Sequence, residues 1–496
     1  MVRDISRRLF LGATASVLAQ VAVAAPPAAS LRPIARGADH FKKSVDGGDS
    51  IVASAKLGGR VCYAVADAAS GLRLEGSNSK TGTPPASVAK AITALYALDV
   101  LGPSHRFTTR VVATGSVSGG VVSGDLILVG GGDPTLDTNG LADLAKALKD
   151  KGIREVRGAF KVAEGVLPFV QTIDRDQPDH VGYSPAISGI ALNYNRVHFE
   201  WKRAGSGYGV TMDARSDRLR PEVAMARMQV VERDLPVYTY KGSARIDTWT
   251  VARRALGNGG ARWLPVRKPG LYAGDVFQTL ARSHGIVLKN PKVVQAAPSG
   301  TVLATLQSDD LRSILRGMLR FSTNLTAEMV GMAATVKRAG AVRGLKASAT
   351  EMNRWAKDTL GTSAIKLVDH SGLGSDSRMT ADDMVAALVK VHGNGVLRPI
   401  LKPVAMRDEK GRPLKTHPID VEAKTGTLNF VSGLAGYMTG RDGTVLAFAI
   451  FAADEATRKR LSRANREAPQ GARGWNRRAK VMQQKLIERW GVLYAT

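Results

Sequence analysis

Cysteine is almost absent from this chain: Cys62 is the single cysteine among 496 residues. An internal disulfide needs two cysteines, so no such bond can hold the fold together. Cys62 lies in a strand-like run over residues 60–66, where we expect it to be a small buried apolar side chain. The eight histidines are scattered without the spacing of a metal site. We therefore predict no metal and no cofactor.

The amino terminus lacks an apolar run typical of a membrane span. Residues 9–25 are uncharged but short and rich in Ala, Gly and Ser. Three arginines precede this run, and Ala-Val-Ala at residues 22–24 is typical of a cleavage site, so we predict a signal peptide over residues 1–24. Residues 6–11, Ser-Arg-Arg-Leu-Phe-Leu, resemble the twin-arginine export signal, and an ordinary secretory signal is the alternative. Both predict an exported protein, which we expect in the periplasm.

Acidic residues are scarce: 43 Asp and Glu stand against 70 Lys and Arg, for a formal net charge of +27. Such an excess favours a polyanionic partner. Nucleic acid is the usual interpretation of this balance, but an exported protein meets anionic membrane and envelope surfaces first. We therefore expect no nucleic acid. The densest basic stretch spans residues 458–480, and a solvated basic helix face is its alternative interpretation.

Three short motifs stand in a fixed order along the chain: Ser-x-x-Lys at residues 87–90, Ser-x-Asn at 322–324 and Lys-Thr-Gly-Thr at 424–427. Each motif is weak by itself. The chain contains further copies, two of Ser-x-x-Lys and one of Lys-Thr-Gly-Thr, at residues 77–80, 363–366 and 80–83. Structural context must therefore choose between the copies.

Ser87 is predicted to begin a buried helix. Two prolines precede it, and residues 88–98 are good helix formers closed by a Gly-Pro pair. Three residues advance an α-helix by about 300°, so Lys90 shares a face with Ser87. A lysine can take the proton of a serine once burial and a nearby cation lower its pKa, and Lys424 is the candidate cation. A helix N-cap is the alternative role of Ser87.

The other Ser-x-x-Lys copies lack this setting. Residues 77–80 precede the Pro-Pro break in a turn-like stretch. Residues 363–366 lead into an apolar run over 365–368 that is predicted to be a strand. Neither pair shares a helical face.

The Lys-Thr-Gly-Thr motif is predicted to lie on a strand. Residues 421–427 have extended character, residues 431–439 follow, and a Gly-rich turn leads into the apolar run 444–453. This pattern predicts an antiparallel meander. Such a strand can present Lys424, a hydroxyl and a backbone N–H to a cleft, a set that suits a carboxylate and a developing oxyanion.

Ser322 and Asn324 lie in a polar break between two runs with helical spacing, residues 311–319 and 325–337. A helix N-cap is the usual role of such residues. Beside the other two motifs they form the third wall of a cleft. Together the three motifs predict a serine acyl-transfer site.

These motifs and their surroundings resemble the low-molecular-mass class C penicillin-binding proteins, the D-Ala-D-Ala carboxypeptidase and endopeptidase family of serine peptidases. The resemblance runs from about Ala53 to the end of the chain. It includes further blocks beyond the three motifs, at residues 124–126, 130–136, 324–328 and 369–373.

The resemblance implies an α/β (α+β) fold, in which a penicillin-binding, β-lactamase-like serine transpeptidase domain has an antiparallel sheet flanked by helices. Mostly-β domains are inserted between the Ser-x-x-Lys and Ser-x-Asn motifs. A chain of 496 residues with 44% hydrophobic residues can bury the two or three cores that this requires. The expected boundaries are residues 25–106 and 300–496 for the catalytic domain, 107–170 and 265–299 for inserted domain II, and 171–264 for inserted domain III.

The resemblance also implies cleavage of peptidoglycan stem peptides through a Ser87 acyl-enzyme, with the acidic stem peptides as partners and β-lactam antibiotics as inhibitors. Lys90 takes the proton of Ser87, the backbone N–H groups of Ser87 and Thr427 hold the oxyanion, and Ser322 relays a proton to the leaving amine. The implied substrate-binding residues are Asn324, Lys424, Thr425, Gly426 and Thr427.

One position departs from the family pattern. In its best-studied members an arginine stands two residues after the Gly-Leu of the 369–373 block and helps to bind the diaminopimelate side chain. Here Ser375 occupies that position, and Arg378 is the candidate substitute.

Two other functions are open. One is a β-lactamase on the same scaffold, but we do not find its Glu-x-x-Leu-Asn or Tyr-x-Asn motif. The other is a non-catalytic peptidoglycan-binding protein, and the intact Ser87 and Lys90 argue against it.

Overall fold

The computed structural model describes residues 45–408 and 410–496. The predicted signal peptide, residues 1–24, lies outside the described residues. The helices within these ranges are α1 (Gly48–Ser54), α2 (Ala89–Leu101), α3 (Thr138–Asp150), α4 (Pro269–Ser283), α5 (Leu311–Phe321), α6 (Asn324–Ala339), α7 (Leu345–Leu360), α8 (Ala381–His392), α9 (Glu455–Lys459) and α10 (Ala472–Tyr494). None of these described helices has the length and apolar character needed to cross a membrane.

The strands form five sheets within the described ranges. They are β1 (Arg60–Asp67), β2 (Arg73–Ser77), β3 (Thr108–Ala113), β4 (Val117–Ser118), β5 (Val121–Val122), β6 (Leu126–Val129), β7 (Glu155–Val156), β8 (Phe160–Ala163), β9 (Arg196–Ala204), β10 (Gly207–Asp213), β11 (Ala226–Val231), β12 (Tyr238–Gly242), β13 (Asp247–Ala252), β14 (Gly259–Pro265), β15 (Lys292–Val294), β16 (Thr301–Gln307), β17 (Lys402–Pro403), β18 (Asp420–Leu428), β19 (Val431–Thr439) and β20 (Val445–Ala453). The mixed α and β content agrees with the expected fold class.

The largest sheet has six antiparallel strands in the order β17-β18-β19-β20-β1-β2. Strands β18, β19 and β20 run as a continuous meander in which Thr425 pairs with Leu434, and Leu434 with Ile450. The predicted meander is confirmed. Cys62 is buried in β1, as expected. The sheet therefore joins the first described strands to the last ones and places the Lys-Thr-Gly-Thr motif near one edge.

Strand β20 is buried on both faces, which explains why its sequence is apolar almost without interruption. Ala447, Ala449 and Phe451 belong to the core that contains helices α2 and α8. Phe448 and Ile450 belong to the core beneath helix α10. Because successive strand residues point to opposite faces, one strand supplies two cores. Helix α2 thus lies in a packed layer against the sheet, which fixes the position of its first turn.

The segment between helices α2 and α5 builds the inserted region. Its five-stranded sheet, in the order β15-β8-β6-β3-β16, shares one apolar cluster with the three-stranded sheets β10-β9-β14 and β11-β13-β12. Strand β16 pairs with β3, so it belongs with this region, although the expected boundary at residue 300 grouped it with the catalytic domain. The division into domains II and III stays a prediction.

Two local expectations have different outcomes. The predicted break at the Ser-x-Asn motif is confirmed, since α5 ends at Phe321 and α6 begins at Asn324. The predicted strand over residues 365–368 is wrong. Only an isolated bridge, between Lys366 and Arg378, forms there. The side chain of Asn353 instead holds the backbone N–H and carbonyl of Leu367.

Candidate active site

Ser87 stands in a single 3-10 turn, Ala86–Val88, that leads directly into helix α2. Its Oγ lies 2.9 Å from Nζ of Lys90, which donates a hydrogen bond to it. The two side chains therefore meet, as their spacing along the helix predicts. Ser87 is not the N-cap of this turn or of α2, so the capping alternative does not describe it. Ala86 has a left-handed backbone with φ of 46°, a conformation that concentrates at functional turns.

Lys90 is fully buried and donates three hydrogen bonds. Its Nζ lies 2.9 Å from Oγ of Ser87, 2.8 Å from Oδ1 of Asn324 and 2.8 Å from the carbonyl oxygen of Ser371. Burial lowers the pKa of Lys90 to about 8, and the nearby carboxylate of Glu328 opposes this change. A lysine with this pKa can lose its proton close to neutral pH and then accept one from a serine hydroxyl.

Lys424 is the second buried lysine of the site. Its Nζ donates to Oγ of Ser322 at 3.0 Å and to the carbonyl oxygen of Thr425 at 2.6 Å. Burial lowers the pKa of Lys424 well below its usual value, and the positive charge of Lys90 adds to this effect. The sequence analysis expected burial and the charge of Lys424 to lower the pKa of Lys90. Burial is the main cause, as expected, whereas Lys424 is not among the groups that lower it.

The Ser-x-Asn motif contacts both lysines. Ser322 has a left-handed backbone with φ of 59° and accepts from Lys424. Asn324 accepts from Lys90 through Oδ1 and donates through Nδ2 to the carbonyl oxygen of Tyr183 at 2.9 Å. The N-cap of α6 is Thr323, without a side-chain capping bond, so capping does not explain the motif. Asn324 instead links Tyr183 of the inserted region to Lys90, the predicted base.

Strand β18 has one free edge beside the serine. It pairs with β19 along its whole length, but β17 covers only its beginning. Among the described residues, no strand pairs with the other side of β18 from Lys424 to Leu428. Gly426 permits a close approach, because a Cβ atom there would lie 3.1 Å from the backbone nitrogen of Ser87. An open edge of this kind can bind an extended peptide.

A loop between helices α7 and α8 completes the site, and the sequence analysis gave it no catalytic role. Glu328 accepts the backbone N–H groups of His370 and Ser371, both at 2.9 Å. These bonds hold the Ser371 carbonyl that accepts from Lys90. The sequence could have indicated this role, because Glu328 and residues 369–373 both belong to the blocks that carry the family resemblance.

The motifs line one cleft of about 320 Å³. Four of the predicted residues line it: Ser87, Ser322, Asn324 and Thr427. Lys90 and Lys424 are buried and contact the two serine hydroxyls, and Thr425 is half-buried on the same strand. Gln177 and Tyr183 of the inserted region form part of the wall. The inserted region thus takes part in the cleft that holds the serine.

The duplicate motifs do not form a site. Ser77 ends strand β2, where its Oγ lies 3.4 Å from the carboxylate of Asp49, and Lys80 is exposed. The backbone N–H of Ser363 donates to Asp383 at 2.8 Å. In neither copy does the lysine contact the serine among the described hydrogen bonds. Of the three copies, Ser87 is the one whose lysine contacts its hydroxyl in the described part of the chain.

A serine that contacts a buried lysine, a second serine that contacts a second lysine and a free strand edge beside both define the class of penicillin-binding serine peptidases. The sequence matches the family described as D-Ala-D-Ala carboxypeptidase 3 (S13) over residues 48–470. The chain belongs to this family and is an enzyme of its carboxypeptidase type.

Known relatives agree with this assignment. The D-alanyl-D-alanine carboxypeptidase of an Actinomadura species is 30% identical over 477 residues, which cover 86% of each chain. The D-alanyl-D-alanine carboxypeptidase DacB of Haemophilus influenzae is 25% identical over 410 residues, which cover 75% of this chain and 81% of that relative. The crystal structure of penicillin binding protein 4 from Haemophilus influenzae has a TM-score of 0.74 at 19% identity and covers 91% of this chain and 100% of its own. That structure shows the shared fold.

Arg378, the candidate substitute for the family arginine, does not line the cleft. Its guanidinium donates to the carbonyl oxygens of Ser375 and Ser377 and forms a salt bridge with Glu455 at 2.8 Å. These contacts tie Arg378 to its own loop and to Glu455 at the start of helix α9. The position of Arg378 therefore does not support the expectation that it takes the role of the family arginine.

We expect the rate of acylation by benzylpenicillin to rise with pH through about 8 and then to level off. The reason is that the base must be neutral, and Lys90 is protonated below its lowered pKa. Stopped-flow measurement of acylation from about pH 6 to about pH 10 tests this. A rate that is constant or falls across this range would contradict the role of Lys90.

Glu328→Gln is expected to move the midpoint of this profile to lower pH. Burial raises the pKa of Glu328 itself to about 8, and its ionised form favours the ammonium form of Lys90, so loss of this charge lowers the pKa of Lys90 further. Glu351→Gln is the control, because Glu351 pairs with Arg338 and Arg354 outside the site. An unchanged or raised midpoint in Glu328→Gln would refute this electrostatic account.

Gly372 packs against the serine turn, and we expect its replacement to be costly. It has φ of +75°, and a Cβ atom there would lie 1.9 Å from the carbonyl oxygen of Ala86. Gly361 has a similar φ of +72° with no neighbouring atom within 4 Å, so it is a matched control. Gly361→Ala should lose about 1–2 kcal/mol of unfolding free energy from backbone strain alone. Gly372→Ala should lose about 1–3 kcal/mol more because of the clash. Equal losses in urea denaturation would show that the close approach is unimportant.

Proposed function

We propose that this protein is a serine-type D-Ala-D-Ala carboxypeptidase and DD-endopeptidase that cleaves peptidoglycan stem peptides through a Ser87 acyl-enzyme. The observation that carries the proposal is the 2.9 Å contact between the buried amine of Lys90 and the hydroxyl of Ser87 in a cleft. The activity in the names of the Actinomadura and Haemophilus relatives supports the substrate class.

Acylation begins when Oγ of Ser87 attacks the carbonyl carbon of the penultimate D-Ala residue. Neutral Lys90 accepts the hydroxyl proton as the new C–O bond forms. The negative charge on the carbonyl oxygen is held by the backbone N–H groups of Ser87 and Thr427. The close approach of strand β18 to the serine turn at Gly426 supports this pairing of donors.

The leaving group needs a proton, since the amide nitrogen departs as an amine. Ser322 relays this proton, and its contact with Lys424 supports the role because the lysine can replace the proton that the hydroxyl gives up. The C–N bond then breaks and the terminal D-Ala leaves. Water attacks the ester in the second step, which releases the shortened stem peptide with a new carboxylate and restores the Ser87 hydroxyl.

The terminal carboxylate of the substrate is held by Lys424, Thr425 and Thr427, and Asn324 bonds to the substrate backbone. A carboxylate beside Lys424 favours the ammonium form of that lysine, in opposition to its burial. The restored positive charge then disfavours the protonated form of Lys90, because the two lysines interact. Substrate binding thus favours the neutral form of Lys90, the form that can accept the proton of Ser87.

A β-lactam imitates the D-Ala-D-Ala end and stops at the ester, so labelling with a fluorescent penicillin tests the proposal. Label that stays on the protein for minutes to hours supports a penicillin-binding peptidase. Rapid label turnover would indicate a β-lactamase, and the absence of label a non-catalytic peptidoglycan-binding protein. Hydrolysis of a synthetic D-Ala-D-Ala tripeptide by the same sample completes the test.

We also propose that the protein acts in the periplasm after export by the twin-arginine route, where its charge holds it on anionic wall or membrane surfaces. The predicted basic stretch supports this only in part. Arg463 and Arg466 form salt bridges with Asp179 and Asp176 of the inserted region. Exposed cations of helix α10 provide a basic face without salt bridges among the described residues: Arg473, Arg477, Arg478, Lys480 and Lys485.

Binding to intact peptidoglycan sacculi is therefore expected to fall steeply between low salt and about 0.3 M, where the Debye length is roughly 6 Å. Hydrolysis of a small soluble peptide should change much less over this range, since it depends on contacts inside the cleft. The combined variant Arg473→Gln, Arg477→Gln and Lys480→Gln should imitate high salt. If sacculus binding is the same at low and high salt and in the combined variant, electrostatic attachment by this face is excluded.

A further inference from the structure

Another cavity, of about 650 Å³, opens beside the first residues of strand β18. Residues of helix α5, the 3-10 turn Arg398–Ile400 and strand β17 form its walls. The turn and the strand supply apolar and proline side chains, and cations complete the lining of this basic cavity: Arg316, Arg320, Arg398 and Lys402. It shares no lining residue with the cleft that contains Ser87.

Most of the positive charge in the basic cavity is not balanced by direct contact with an anion. Glu422 is the carboxylate that lines it, and it forms a salt bridge with Arg398 at 3.0 Å. Among the described residues, no carboxylate forms a salt bridge with Arg316, Arg320 or Lys402. Arg316 and Arg320 are exposed and four residues apart on α5, so they share one helical face. Cations grouped in a concave surface attract anionic ligands.

The basic cavity adjoins the catalytic groups that are proposed to contact the departing residue. Arg320 stands two residues before Ser322, the proposed proton donor to the leaving amine. Lys402 pairs with Ala423, the neighbour of Lys424 in strand β18. The charge of Lys402 also contributes to the lowered pKa of Lys424, which agrees with this proximity. The cavity therefore lies on the leaving-group side of the site.

The order of residues along strand β18 supports the same direction. Thr427 and Leu428, near the end of the strand, line the Ser87 cleft, whereas Glu422, near its beginning, lines the basic cavity. Lys424, the proposed partner of the terminal carboxylate, lies between them. Strand β17 pairs with the first part of β18 and closes the free edge there. A leaving group longer than D-Ala must therefore turn away from the edge at β17, where the basic cavity opens.

We propose that the basic cavity is a leaving-side subsite, which binds the second stem peptide of a cross-link through the carboxylates of that peptide. In a cross-linked substrate the leaving amine belongs to a second acidic peptide and not to a free D-Ala, so an anionic chain continues past Lys424. Its charge is complementary to that of the cavity. The inference rests on the proposed peptidase function and assigns residues to the endopeptidase part of it.

Three synthetic peptides with one acyl donor and three leaving groups test this inference. Each is Nα,Nε-diacetyl-L-Lys-D-Ala-D-Lys, in which Nε of the D-Lys residue carries a succinyl, butyryl or 4-aminobutyryl group. The leaving groups share the terminal carboxylate and are similar in length, but their far ends are anionic, neutral and cationic. The measured quantity is the ratio of kcat/KM values between peptides for one enzyme, because damage common to all substrates cancels in the ratio.

The wild type is expected to prefer the succinyl peptide over the butyryl peptide by about fivefold, the effect of one favourable exposed ion pair. Arg316→Gln combined with Arg320→Gln should reduce this ratio below about two. Arg316→Glu combined with Arg320→Glu should favour the 4-aminobutyryl peptide over the succinyl peptide, a reversal that misfolding cannot produce. Arg312→Gln is the matched control and should keep the wild-type ratio, because Arg312 is an exposed cation of α5 that does not line the cavity.

A wild-type ratio below about two, or a fivefold preference that survives in both double variants, would overturn the leaving-side subsite while the peptidase function stands. The same conclusion follows if the wild type hydrolyses a D-Ala-D-Ala tripeptide but none of the three peptides. Failure to hydrolyse any peptide, together with no acylation by benzylpenicillin, would instead overturn the proposed function and this inference with it.

Discussion

Ser87→Ala is expected to abolish covalent labelling by penicillin and to reduce kcat for D-Ala-D-Ala peptides by about 10⁴-fold or more, as is typical when a nucleophile is removed. The substitution removes the only oxygen that can form the ester. The fold should survive, because the recorded side-chain hydrogen bond of Ser87 is the one it accepts from Lys90, and Lys90 keeps Asn324 and Ser371 as partners.

Ser77→Ala is the control for this experiment, since Ser77 belongs to a duplicate motif at the end of strand β2. It should label and hydrolyse like the wild type. Gel fluorescence after incubation with a fluorescent penicillin measures both variants side by side. Persistent label on Ser87→Ala, or loss of label from Ser77→Ala, would show that the wrong serine was assigned.

Lys424→Ala is expected to lower kcat/KM by two to three orders of magnitude, at least the roughly 2.7–4 kcal/mol that one oxyanion donor contributes. The substitution removes the proposed cation for the substrate carboxylate and the hydrogen-bond donor to Ser322. In the substrate complex it also removes the positive charge that the bound carboxylate restores on Lys424, which disfavours protonated Lys90.

Lys80→Ala is the matched control, because Lys80 begins the duplicate Lys-Thr-Gly-Thr motif and is exposed. It should retain nearly full activity. Steady-state hydrolysis of a D-Ala-D-Ala tripeptide over a range of concentrations separates the effects on KM and kcat. The reverse result, with an inactive Lys80→Ala and an active Lys424→Ala, would mean that the other copy of the motif serves the site.

The parts of the site that local sequence determines were predictable. The contact between Ser87 and Lys90 follows from helical spacing alone, and the meander that presents Lys424 follows from its alternating strands and turns. Ser322 and Asn324 stand at a break between two helices that the sequence pattern locates within a few residues. In each case the relevant neighbours lie within one or two elements of the chain.

Features that depend on distant contacts were not predictable in the same way. Strand β16 was grouped with the catalytic domain because its pairing with β3 joins residues far apart in the chain. Burial lowers the pKa of Lys90, as expected, but the expected contribution of Lys424 is not supported, because the groups that act on a buried amine are set by contacts between distant parts of the chain. The role of Gly372 appears only when the Ala86 carbonyl is placed beside it.

The most direct test of the account is to identify the residue that a penicillin acylates. Trypsin cleaves after Lys80 and Lys90, so residues 81–90 form one peptide in which Ser87 is the only serine, whereas Ser77 and Ser79 fall in the preceding peptide. Mass spectrometry of the digested benzylpenicillin adduct should find the added mass on residues 81–90, and fragmentation should assign it to Ser87. An adduct on the preceding peptide, on the peptide that contains Ser322, or on none would contradict the central claim.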